Sequence, residues 1–149
     1  MRLVVQRVKR ASVRSDGELL GEIGPGAVVL AGIGREDTAE VIDRMADKLN
    51  GLRYFEDTDG RTNLAIGDAG GSLLVVSQFT LYADLRRGRR PGFTAAALPE
   101  AAVPLIDRFV DHLRASVPVE TGRFGAEMAV ELVNDGPFTL VLDSERDLA

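Results

Sequence analysis

The sequence predicts an α/β fold over residues 1–149, built as a single domain with a mostly antiparallel, barrel-like sheet and two helices. Three observations carry that expectation. Short runs of β-branched and aliphatic residues recur between Gly, Pro, Asn and Asp turn signals, which is the pattern of strands. Two longer segments instead repeat apolar residues every three or four positions, as one face of a helix does. No linker-like stretch and no repeat of 20–50 residues divides the chain.

The elements follow in order. Leu3 to Val13 is the first strand candidate and ends at the turn signal Ser15-Asp16-Gly17. Leu19 to Ile23 and Ala27 to Ile33 follow, separated by Gly24-Pro25-Gly26, so the three read as a meander. Asp37 or Thr38 is placed to cap a helix whose apolar face is Val41, Met45, Leu49 and Leu52 and which ends at Asn50-Gly51. Leu52 to Phe55 reads as a short strand, and Ser72 to Phe79 as a buried one because it is almost continuously apolar. A second helix falls within Pro99 to Ser116, with Leu105, Phe109 and Leu113 as its stripe and Ile106 and Val110 beside it. Pro99 suits a first turn, whereas Pro104 predicts a kink or a later start. Met128 to Val133 and Phe138 to Leu142 complete the sheet as two strands around the turn Asn134-Asp135-Gly136-Pro137.

Composition removes several kinds of chemistry. With no cysteine there is no disulfide framework, thiolate nucleophile or Cys-type metal site, and the single histidine, His112, cannot form a multi-imidazole zinc site within one chain. No metal and no cofactor is expected. His112 lies at the edge of the second helix's apolar stripe and reads as structural. No apolar run approaches the ~18 residues a membrane span needs, and early arginines interrupt any signal peptide, so a cytoplasmic protein is expected. The glycines form no nucleotide-binding loop: Gly24-Pro25-Gly26 continues with Val29 where GxGxxG needs its last glycine, and neither Lys9 nor Lys48 sits in a Walker A context.

Net charge is −5, yet it is unevenly spread. Residues 1–14 carry Arg2, Arg7, Lys9, Arg10 and Arg14 without an acid, and Arg86, Arg87, Arg89 and Arg90 stand together in RRGRR. Arginines on an acidic body suit docking of a phosphate-bearing partner better than proton transfer, and solvated surface is the alternative.

Two segments are candidates for a site. In SQFTLYAD, Ser77 to Asp84, an apolar strand ends in polar side chains, and strand alternation puts Gln78 and Thr80 on one face with Ser77 and Phe79 on the other. No base lies nearby in sequence to activate a hydroxyl. In NDGPFT, Asn134 to Thr139, the residues by themselves are a turn whose Gly-Pro bond belongs to the class in which cis is accessible.

Taken together with QRVKRASV at Gln6 to Val13, GGSLLVVSQFT from Gly70 and TGRFGAEMAVELVNDGP from Thr121, these segments resemble the D-aminoacyl-tRNA deacylase family over essentially the whole chain. The resemblance implies hydrolysis of the ester joining a D-amino acid, or glycine, to the 3′ end of tRNA, with L-aminoacyl groups rejected. It also implies a homodimer in which a cis Gly136-Pro137 reaches into the partner subunit's pocket. By the same resemblance Gln78 and Thr80 belong to the catalytic set and Ser77, Phe79, Gly136 and Pro137 to substrate binding. Backbone N–H groups near Phe79 and Thr80 would face the ester. Thr80 is one candidate nucleophile, but assistance by the tRNA's terminal 2′-hydroxyl is preferred, since an activated ester needs a positioned water and oxyanion donors more than a strong base. Arg86, Arg87, Arg89 and Arg90 would contact tRNA, and Arg7 would brace the Gly-Pro segment. The chain departs from the family pattern at Gly92, where a serine is common, and at Leu98 and Pro104 in the second helix. A non-catalytic RNA-binding protein and a hydrolase of small D-amino acid esters are the competing functions.

Overall fold

The computed structural model describes residues 1–149. Its strands are β1 (Arg2–Ser15), β2 (Glu18–Ile23), β3 (Gly26–Gly32), β4 (Arg53–Glu56), β5 (Thr62–Ala65), β6 (Ser72–Ser77), β7 (Val119–Thr121) and β8 (Ala129–Asp143). The helices are α1 (Ala39–Gly51), α2 (Pro99–Arg114) and the single turn α3 (Ser144–Asp147). Three helices thus replace the expected two. α3 escapes sequence reading because four residues cannot show a helical period.

β1 organises the sheet. Its first half, Arg2 to Val8, pairs with β3, its second half, Ala11 to Ser15, pairs with β2, and its other edge runs along β8. Asp16 and Gly17 at the β1–β2 turn have φ of 50° and 77°, the left-handed pair that matches the twist of a tight hairpin. β6 joins β3, and β7 joins β6, both in parallel. The sheet is therefore mixed, a correction to the mostly antiparallel expectation. Parallel neighbours need long crossovers, and α1 with β4–β5 supplies one while α2 supplies the other. β2 approaches β7 closely enough that a Cβ on Gly21 would lie 2.9 Å from the Thr121 carbonyl oxygen, so the sheet is nearly closed.

Apolar alternation fills both sides of this sheet. Leu73 and Val75 face α1 and α2, packing in one cluster with Met45, Leu49, Phe109 and Leu113, while Leu74 and Val76 join Val8, Val13, Ile23 and Val28 in a second. Burial on both faces is why β6 reads as an unbroken apolar run. In α1, Thr38 Oγ1 accepts the Val41 N–H at 3.4 Å, and the buried face is Ile42, Met45, Ala46 and Leu49, rotated from the expected Val41 and Leu52. α2 starts at Pro99 and runs through Pro104, so the later start does not occur. Pro104 is exposed, where solvent can satisfy the carbonyl it leaves without a partner. His112 Nε2 lies 2.7 Å from Asp47 Oδ1 and its Nδ1 3.4 Å from Asp43 Oδ1, tying α2 to α1.

The largest departure concerns β8. Asn134-Asp135-Gly136-Pro137 does not turn the chain between two strands; β8 continues through it, because both halves pair with β1. Gln6 pairs with Thr139 and Val8 with Asn134, leaving Asp135 to Phe138 as a bulge opposite Arg7 alone.

Candidate active site

β6 ends at Ser77, two residues before the Phe79 at which the expected strand stops. The Gln78 N–H still donates to the Ala31 carbonyl at 2.8 Å, but Phe79 to Tyr82 then form a 3₁₀ turn. The two-faced arrangement of Ser77, Gln78, Phe79 and Thr80 is corrected accordingly. β3 ends here too, and Gly32 allows the close approach: a Cβ there would lie 2.9 Å from the Gln78 carbonyl oxygen.

The turn leaves polar groups facing outward. Gln78 Nε2 donates to Thr80 Oγ1 at 2.5 Å, and no carboxylate or imidazole is hydrogen-bonded to that hydroxyl. No loop or side-chain hydrogen bond engages the N–H of Phe79 or Thr80. The Phe79 ring is 55% exposed and meets Phe93 edge-on at 5.0 Å. Two cavities share this wall. One, of about 300 Å³, is apolar and bounded by Ala31, Ile33, Phe93, Ala96, Leu98 and Ile106; the other, of about 390 Å³, runs along Ala126, Glu127, Met128 and Val130. Ser77, Gln78, Phe79, Phe124 and Gly125 line both.

The arginine loop stands at the edge of the first cavity. Asp84 and Gly92 exchange two backbone hydrogen bonds, 2.7 and 3.0 Å, closing a small hairpin between the Phe79 turn and Phe93. Arg86 grips the Asp84 carboxylate through Nε and Nη2 at 2.9 and 2.8 Å, and this hydrogen bonding holds the carboxyl well below the usual carboxylate range. Arg87, Arg89 and Arg90 are exposed and form no ion pair. The four arginines are thus unequal: one is already neutralised locally.

The Gly136-Pro137 bond is cis. Its bulge is cross-braced by a buried Arg7, whose Nε donates to the Asp135 carbonyl at 3.1 Å and whose Nη1 donates to the Tyr54 carbonyl at 2.8 Å. The guanidinium lies 4.7 Å from the centre of the Phe138 ring. Asn134 Nδ2 donates to the Arg7 and Phe138 carbonyls at 2.8 and 3.0 Å, bridging the mouth of the bulge. Gly136 and Pro137 themselves are exposed, and neither lines either cavity. Arg7 faces Ala27 on β3, four residues along from the Ala31 that holds Gln78. Within one chain the two motifs do not meet.

A family described as D-Tyr-tRNA(Tyr) deacylase matches residues 4–143, from β1 to the end of β8. The chain belongs to this deacylase family. A D-aminoacyl-tRNA deacylase of Symbiobacterium thermophilum is 59% identical over 98% of this chain and 97% of its own length, and one from Chloroflexus aurantiacus is 57% identical over 97% and 91%. A solved structure titled c-Myc DNA Unwinding Element Binding Protein is 40% identical, covers 96% of this chain and 98% of its own, and superposes with a TM-score of 0.91.

Several residues around this deacylase's cavities escape sequence reasoning. Phe93, Phe124 and the Ala96 to Pro99 segment come from loops distant in sequence, and only the fold brings them to Ser77. Phe124 alone left a signal, being an aromatic between Gly122 and Gly125, where backbone freedom lets a ring stand out from the chain.

Proposed function

We propose that this member of the deacylase family hydrolyses the ester between a D-amino acid and the 3′-terminal ribose of tRNA, with the ester lying against Ser77, Gln78 and Phe79. The observation that carries the reading is the pair of cavities meeting at that wall. An aminoacylated 3′ end has two bulky parts joined at one carbonyl, and the apolar, aromatic-edged cavity suits a nucleobase while the second takes the aminoacyl group. In this reading the N–H groups of Phe79 and Thr80, at the start of the 3₁₀ turn, donate to the oxyanion. Gln78 holds the Thr80 hydroxyl as an acceptor but cannot take its proton, since an amide is not a base at neutral pH. The tRNA's own 2′-hydroxyl or a positioned water therefore completes the attack, and protonation of the departing 3′-oxygen comes from solvent.

Stereochemical selection needs a rigid wall beside the aminoacyl cavity, and the Gly136-Pro137 bulge is the one braced, exposed segment suited to it. Because it lies away from its own chain's cavities, we propose a homodimer in which it reaches the partner's site. Rejection of L-substituents is then steric, so a small glycyl group also enters. Subunit mixing tests this. Gly136→Ala damages the wall, since that residue has φ 139° and a Cβ would lie 2.8 Å from the Phe138 nitrogen, while Phe79→Pro removes one of the two N–H donors together with the ring that lines both cavities. Each variant alone should be inactive on D-tyrosyl-tRNA, and refolding an equal mixture should restore about a quarter of wild-type activity through one intact site per mixed dimer. No restoration would place wall and cavity in the same chain and end the cross-subunit proposal.

A further inference from the structure

Of the residues lining the apolar cavity, one carries a charge: Arg35. Its backbone is clamped, with its N–H donating to the Ala95 carbonyl at 3.1 Å beside the Gly34–Ala96 bridge, and Gly34 in turn donating to Asp37 Oδ2 at 2.7 Å. The side chain is exposed and forms no ion pair. It also lines the neighbouring open cleft together with Glu36 and Glu100. A lone cation on a pinned backbone, at the mouth of an otherwise uncharged pocket, fits a ligand that is apolar inside and anionic where it emerges.

Resting on the reading above, we infer that Arg35 is a substrate-positioning residue that binds the phosphodiester on the 5′ side of the terminal nucleoside. A nucleoside seated in this cavity with its acylated ribose at Ser77 to Phe79 has its 5′-oxygen directed to the mouth, and the first phosphate follows one bond later. Arg35 is the only cation there to receive it. Glu36 and Glu100 repel the next phosphates from the cleft side, and Arg87, Arg89 and Arg90 attract them on the hairpin that ends at Phe93, so the acceptor strand leaves over the hairpin.

Three substrates separate this contact from other roles: D-tyrosyl-tRNA, the D-tyrosyl ester of adenosine 5′-monophosphate, and the D-tyrosyl ester of adenosine. Arg35→Gln should raise KM about tenfold for the two phosphate-bearing substrates with kcat within about twofold, as loss of a charge-assisted contact made equally in ground and transition states requires. The adenosine ester should be hydrolysed as by wild type. Arg35→Lys should recover most of the loss, and a double Arg87→Ala, Arg89→Ala variant should affect the full tRNA alone. An equal loss on all three substrates, or no loss on any, would overturn the phosphate assignment. Wild-type protein inactive on D-tyrosyl-tRNA would instead overturn the deacylase reading and the inference with it.

Discussion

The end of β6 and the bulge in β8 are both places where a strand stops being regular, and they are held in opposite ways. At Phe79 and Thr80 the start of a 3₁₀ turn leaves a half-exposed aromatic ring beside two backbone N–H groups that no loop or side chain engages. Across Asn134 to Phe138, by contrast, Arg7 Nε holds the Asp135 carbonyl, Asn134 Nδ2 ties the Arg7 and Phe138 carbonyls together, and Arg7 Nη1 anchors the brace on the Tyr54 carbonyl. The comparison separates two requirements of a selective hydrolase. Groups meant to meet a changing charge must be fixed but unsatisfied, while a surface meant to exclude by shape must be satisfied internally so that nothing deforms it.

Substitutions can break or sharpen this contrast. The largest effect should come from Arg7→Ala, which removes charged hydrogen bonds to two carbonyls from a buried site. A loss of about 3 kcal/mol in urea unfolding is expected, together with weakened discrimination between D- and L-tyrosyl-tRNA. Unchanged stability would mean that the bulge holds its shape without the brace. On the open side, the double Arg87→Ala, Arg89→Ala variant should leave stability alone, raise KM for charged tRNA about tenfold and reduce the salt slope of log KM by about 1.5. A salt slope equal to wild type would return these side chains to plain surface.

Thr80→Ala should lower kcat less than about tenfold and leave unfolding unaltered, because the hydroxyl has no base and braces nothing in the core. An acyl ester trapped on Thr80 would refute this. The smallest effect lies next to the brace. The Tyr54 hydroxyl is buried, no protein group bonds to it, and burial pushes the phenol well above its ordinary pKa. Tyr54→Phe should therefore be neutral or stabilising by up to about 1 kcal/mol, read from the urea midpoint. A clear destabilisation would show that the hydroxyl has a role in supporting the bulge.

Much of this was legible in the chain itself, and the failures have physical causes. The β1–β2 hairpin is announced by Asp16-Gly17, α1 by the Thr38 cap, and β6 by an apolar run that only burial on two faces explains, whereas the expected meander is wrong: Gly24-Pro25 does not turn the chain back, and β2 and β3 both pair with β1. β5 and β7, at four and three residues, are too short for alternation to register. Asn134 to Pro137 carries the same residues whether it turns a hairpin or opens a bulge, and only the long-range pairing with β1 decides between them. The Gln78 carbonyl packs where only a glycine at position 32, on another strand, leaves room. Both motifs of the site were visible as strings, whereas Phe93, Phe124 and Arg35 belong to the cavity only through tertiary proximity.

The pairing of β1 with β8 has a temporal side. Arg2 lies opposite Asp143 and Gln6 opposite Thr139, so β1 finds the partner for one entire edge only in β8, the most distant strand of this sheet in sequence. A nascent chain can form the β1–β2 hairpin early, but Arg7 has no carbonyl of Asp135 to grip until residues 129–143 have cleared the ribosome tunnel. The surface proposed for stereochemical selection is thus assembled only once β8 has been made. A chain cut short before β8 leaves a whole edge of β1 unpaired, so it loses the sheet's integrity along with the bulge.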